Sequence, residues 1–209
     1  MIRVMALSVV AILVGTSSGN AQFRQQTPEK GGFGMTADLI FAQMGGSVSD
    51  SVGSGLGAGV SLFLEPTGTP ARLGAGVSYT RFSLEGPGGS LNKLSLYALF
   101  GLQMVDPNTS VIPYLQGTVG YTRLSDDELC NEFVCGTGTT LRGRVRSGLE
   151  LGTNVGVDIP MTETINVDVA GSFSWMSLGD LEAGGQTIEG ASLNGSTFGI
   201  RAGITIYPR

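Results

Sequence analysis

Apolar residues recur at every second position through eight stretches of this chain, separated by segments rich in Gly, Ser, Pro and Asn. A period of two places successive side chains on opposite faces of an extended strand. The apolar sets span 33–41, 56–64, 73–79, 94–104, 115–121, 145–157, 165–175 and 198–206. The connections alternate as well. Segments 66–70, 105–110 and 158–161 read as tight turns, whereas 43–54, 84–92, 125–139 and 177–195 read as longer loops. The pattern predicts an all-β fold, an eight-stranded antiparallel up-and-down barrel with both chain ends on the short-turn side.

The two faces differ in kind. Of 42 positions on the apolar face, four are not apolar (Gly117, Ser147, Thr153 and Gly171) and none is charged. The opposite face is mostly Gly, Ser and Thr, with the charges Asp38, Arg144, Arg146, Glu150, Asp168 and Arg201. A soluble, lipocalin-like barrel would turn its apolar face inward and a charged face to water. Small residues instead suit the crowded lumen of an eight-stranded barrel, which leaves lipid as the medium for the apolar face. A charge there would cost about 2–4 kcal/mol at the bilayer midplane, and closure pairs every backbone group, as hydrocarbon requires. Ile40, Phe63 and Leu99 are apolar residues that fall on the lumen side. Phe33, Phe41, Tyr79, Tyr121, Phe173, Trp175 and Phe198 lie towards strand ends, where aromatic girdles form.

The inward charges suggest one network. Arg201 falls between strands carrying Asp38 and Asp168, and a guanidinium can bridge two carboxylates. Glu150 is expected to reach Arg146 or Arg144. The alternative is a set of separately solvated polar residues.

Segment 1–21 has a positive start at Arg3, a short apolar stretch and small residues before Ala21. It reads as a secretory signal peptide, with 22–30 a short periplasmic segment and 31–209 the barrel. Export makes a Cys130–Cys135 disulfide the expected state of the two cysteines, with free thiols as the alternative. The formal net charge is −5 with no histidine. This balance argues against nucleic acid as a partner, and the missing histidine removes Ser-His, Cys-His and His-metal sites. No metal or cofactor is expected. Three further motifs carry little. The glycines of 55–59 lack the helix a phosphate loop needs. The acidic run Asp126-Asp127-Glu128 with Glu132 reads first as a solvated loop and second as a divalent-cation holder. Asn194-Gly195-Ser196 matches a glycosylation acceptor.

These strands, the stretch Pro113-Tyr114-Leu115-Gln116-Gly117-Thr118-Val119-Gly120-Tyr121 and the closing Ile204-Thr205-Ile206-Tyr207 resemble the OmpA/OmpX-like outer-membrane β-barrels, over about 31–207. The resemblance implies a bacterial outer-membrane location, contact with outer-membrane lipid and lipopolysaccharide, and insertion through periplasmic chaperones and the barrel assembly machinery. That machinery reads a terminal aromatic, whereas here Tyr207 is followed by Pro208-Arg209. A peptidoglycan-binding domain is not expected. The function expected is structural or surface-exposed, non-enzymatic and monomeric, with a lumen plugged by polar and charged side chains. The alternative is a narrow channel or small-ligand-binding barrel, in the membrane or secreted.

Overall fold

A computed structural model describes residues 32–46, 52–66, 69–84, 89–104, 110–127, 145–183, 186–188 and 193–208. Eight long strands run antiparallel: β1 (Gly32–Gly46), β2 (Val52–Glu65), β3 (Ala71–Leu84), β4 (Ser90–Gln103), β5 (Ile112–Asp127), β6 (Val145–Pro160), β7 (Ile165–Leu178) and β10 (Leu193–Ile206). Between β7 and β10, the short strands β8 (Leu181–Ala183) and β9 (Gln186–Ile188) form a hairpin beside the start of β6. Each long strand pairs with its chain neighbour, and β1 pairs with β10, so the ring closes. No helix among the described residues is long and apolar enough to cross a membrane. The chain crosses with strands.

The paired register, followed round the barrel, runs Thr36, Ser61, Gly76, Tyr97, Gly120, Glu150, Met176, Gly195 and back to β1 at Gly46. Return occurs ten residues above the start (46 − 36). This stagger over eight strands requires the strands to tilt by about 40°.

The apolar face points outward. Leu96, Val119 and Ile204 are 63%, 50% and 50% exposed, as are Leu39, Leu56 and Val155 on other strands. A lipocalin-like arrangement, which would stack these residues in a central core, is therefore ruled out. Ile40, Phe63 and Leu99 are buried in the lumen.

Glycine makes room for the lumenal rings. Phe63 lies opposite Gly34, Phe82 opposite Gly55, Tyr97 opposite Gly76 and Tyr114 opposite Gly156. A Cβ on any of these four glycines would fall inside van der Waals distance of the facing ring, at 2.6 Å from Phe82 Cδ1 for Gly55 and 2.7 Å from Tyr97 Cζ for Gly76. The glycine-rich face is thus the floor on which four aromatic side chains lie.

The strands run further than the hydrophobic pattern implies. β1 continues to Gly46 and β4 begins at Ser90. The links expected over 43–54 and 84–92 therefore shrink to 47–51 and 85–89, as short as the turn at 66–70. Backbone pairing persists through Gly, Ser and Asn positions because ladder hydrogen bonds do not require apolar side chains. Likewise Asp158, expected in a turn, pairs with Asp168 and Ile112 within the sheet. The signal peptide, Cys130, Cys135, Glu128, Glu132 and Arg144 lie outside the described residues.

Candidate functional site

The lumen is built in layers, each from side chains two residues apart on the inward face. Nearest the short turns, the Arg72 guanidinium is held on several sides. Its Nε donates to Glu65 Oε1 at 2.9 Å, and Nη2 donates to Asp158 Oδ2 at 2.8 Å and to the Tyr207 hydroxyl at 3.1 Å. Tyr207 donates in turn to Glu65 Oε1, which also accepts from Gln103 Nε2. The face of the guanidinium stacks on the Phe63 ring, 4.1 Å from its centroid. This guanidinium combines planar hydrogen bonding at its edge with ring stacking on its face, which a lysine cannot do.

One layer higher, Arg201 Nη2 is ion-paired with Asp38 Oδ2. Thr36 and Thr205 share a hydroxyl hydrogen bond of 2.8 Å beside it. Asp168 and Tyr114 line the same small cavity as Asp38 and Arg201, of about 10 Å³. Asp168 Oδ2 and Asp38 Oδ1 are buried without a hydrogen-bond partner. Of the two carboxylates expected around Arg201, Asp38 makes the ion pair, while Asp168 faces the cavity.

Above this, Lys93 Nζ donates to Glu150 Oε1 at 2.6 Å and to the hydroxyls of Ser174 and Thr197 at 3.3 Å. Ser95 donates to Glu150 Oε2 at 2.6 Å. Among the described residues the ion-pair partner of Glu150 is Lys93 on β4 rather than the expected Arg146, and Arg144 lies outside them. Arg146 is half-buried on β6, one inward step beyond Gly148. Lys93 escapes the sequence pattern because the apolar set of β4 begins only at Leu94. Arg72, Glu65 and Asp158 escape it for the same reason, each lying one position outside an apolar set. Continuing the inward parity finds all four.

The layer nearest the long loops is apolar. Ile40, Met44, Val52, Phe82, Leu91, Leu124, Met176 and Leu178 form one buried cluster, with Phe82, Met176 and Leu178 at 0–1% exposure. Among the described residues no group of acidic, Cys or His side chains has the arrangement of a metal site.

A closed eight-stranded ring with an apolar exterior and a polar lumen decides the fold. The chain has the fold of the small bacterial outer-membrane barrels. It is similar to neisserial surface protein A, at 19% identity and a TM-score of 0.59, covering 83% of this chain and 96% of that one. It is also similar to OprG from Pseudomonas aeruginosa, at 11% identity and a TM-score of 0.52, covering 87% and 97%. A major outer-membrane protein from Thermus thermophilus gives 13% identity and a TM-score of 0.51, covering 83% and 99%. No family model and no curated protein matches the chain. An outer-membrane location agrees with this fold and with the lipid-facing belt.

Proposed function

We propose that this outer-membrane barrel is a structural, surface-exposed protein whose lumen is closed to solutes. In this reading its long-loop end is the part offered to partners and to lipopolysaccharide. The observation that carries the reading is the stack of paired and apolar side chains inside the barrel. Three ion-paired layers are stacked beneath an apolar cluster, and the cavity among them has room for about one water molecule. Each lumenal carboxylate that holds a cation is engaged from another strand, which is how buried charge is kept in place. Such charges act as struts and carry no catalytic role.

Planar-bilayer recording of the folded protein tests this reading. The expected result is a silent bilayer with the native chain, and still a silent one when Phe82, Met176 and Leu178 are truncated together to Ala, because the ion-paired layers beneath them remain. Stable unit currents from the native chain would favour the narrow-channel alternative.

A further inference from the structure

Among the outward positions whose side chains are described, two carry a charge, Arg81 on β3 and Arg123 on β5. Each ends the same tripeptide, Tyr79-Thr80-Arg81 and Tyr121-Thr122-Arg123. The repeat has one structural meaning in both places. Thr80 and Thr122 are buried in the lumen at 5% and 0% exposure, while Tyr79 and Tyr121 face outward at 47% and 57%. The arginines are exposed on that same outer wall, one outward step nearer the long loops.

The barrel's stagger sets the two arginines at one height. In the register Arg81 pairs with Asn92, and Asn92 with Ser125. The register climbs ten residues over eight strands, or 1.25 per strand. Two strands on, the level of Arg81 is therefore 2.5 residues below Ser125, at 122.5, which is the position of Arg123. The arginines thus flank β4 at the same level, two strands apart, which on strands tilted by about 40° is about 12 Å. Between them on β4 lies Asn92, whose Oδ1 accepts a hydrogen bond from the Tyr79 hydroxyl at 2.8 Å. The same conversion places Phe41, Tyr79, Tyr121, Trp175 and Phe198 in an aromatic ring at the top of the apolar belt. Gln43, Arg81, Asn92, Arg123, Ser177 and Ser196 form a polar ring just above it. Neither guanidinium has a hydrogen-bond or ion-pair partner among the described residues.

We propose that Arg81 and Arg123 form a clamp for the phosphates of an anionic lipid headgroup of the lipopolysaccharide type, in the leaflet on the long-loop side. This rests on the reading of the chain as an outer-membrane barrel and gives its lipid contact a definite site. The warrant is charge and position. Two guanidinium groups sit where an aromatic girdle marks the boundary between acyl chains and headgroups, and guanidinium binds phosphate bidentately. The apolar wall below, with Leu94, Leu96 and Val119 outward, would take the acyl chains of the same molecule. A free phosphate would lack that second contact.

The test uses the full folded protein in phosphatidylcholine nanodiscs, titrated with phosphorylated lipid A, dephosphorylated lipid A and inorganic phosphate. Native mass spectrometry counts the bound lipid. Arg81→Gln and Arg123→Gln are each expected to weaken binding of the phosphorylated lipid about tenfold, and the double variant to bind no better than the native chain binds the dephosphorylated lipid. The double Arg→Lys variant retains part of the affinity. Heat-modifiable gel mobility establishes that each variant is a closed barrel. Equal binding of the two lipids by the native chain, native-like binding by the folded double Gln variant, or displacement by inorganic phosphate at comparable concentration would overturn the clamp. None of these outcomes touches the bilayer recording that tests the closed lumen.

Discussion

Arg72 on β3 reaches across the lumen to Asp158 on β6, a strand three places round the barrel, and closes an ion pair of 2.8 Å in which Asp158 is fully buried. Strand pairing alone would hold these strands only through their neighbours. This contact ties opposite walls together at the short-turn end, with Glu65 and Tyr207 completing the cluster.

Removing Arg72 is therefore expected to be costly. Arg72→Leu leaves Glu65 and Asp158 buried without their cation, and the expected loss is about 3–5 kcal/mol of folding stability. Replacing the three together, Arg72→Met with Glu65→Gln and Asp158→Asn, restores most of it. Urea unfolding from detergent micelles measures both, and a triple variant no more stable than the single one would contradict the account.

Lys93 and Glu150 give an independent case in the ion-paired layer above Arg201 and Asp38. Lys93→Met strands Glu150, which retains only hydroxyl donors such as Ser95, so a loss of similar size is expected. Pairing it with Glu150→Gln lowers the penalty. A double-mutant cycle with an interaction energy near zero would show that the 2.6 Å contact has no energetic weight.

Glycines on the two faces respond in opposite ways. Gly55→Ala pushes a methyl against the Phe82 ring, with three ring atoms within 2.9 Å of the new carbon, and costs about 1–3 kcal/mol through overpacking. At Gly171 the nearest atom is 3.9 Å away and at Gly117 it is 4.0 Å. Alanine at either outward site is expected to be neutral or slightly stabilising, because it restricts the unfolded chain. Thermal unfolding followed on heated gels distinguishes the two classes.

The lipid-facing assignment has its own direct probe. Leu96→Arg puts a charge in the upper part of the outer belt, just below the aromatic ring, and is expected to destabilise the inserted protein by about 1–2 kcal/mol, less than a charge at the midplane would cost. The lumenal neighbour Ser95 is 3% exposed, so Ser95→Ala instead removes a donor to Glu150 and costs about 1–3 kcal/mol. Folding yields into lipid vesicles compare the two, and an unaffected Leu96→Arg barrel would mean that the belt does not meet hydrocarbon.

The outer face was legible because lipid imposes one rule on every residue that meets it. From Leu94 to Leu102 each second residue is apolar whatever lies beside it, and that regularity survives without knowledge of neighbours. Strand ends were less legible. Lys93 and Asp158 obey the inward parity, yet a Lys beside an Asn and an Asp ahead of Ile-Pro read as the edge of a loop. The glycines of the inner face were visible as smallness only. That Gly55 lies beneath Phe82 and Gly76 beneath Tyr97 depends on which residues come into register across two strands.

Chain order and local alternation by themselves determined the eight strands, their antiparallel succession and the side turned to lipid, since each follows from interactions within a strand or with the solvent around it. Only the tertiary structure decided which charges meet. The closure stagger brings Arg201 to Asp38, Lys93 to Glu150 and Arg123 level with Arg81. It is a property of the whole ring, because the offset contributed at each strand pair is summed over all eight before any two distant side chains acquire a common height.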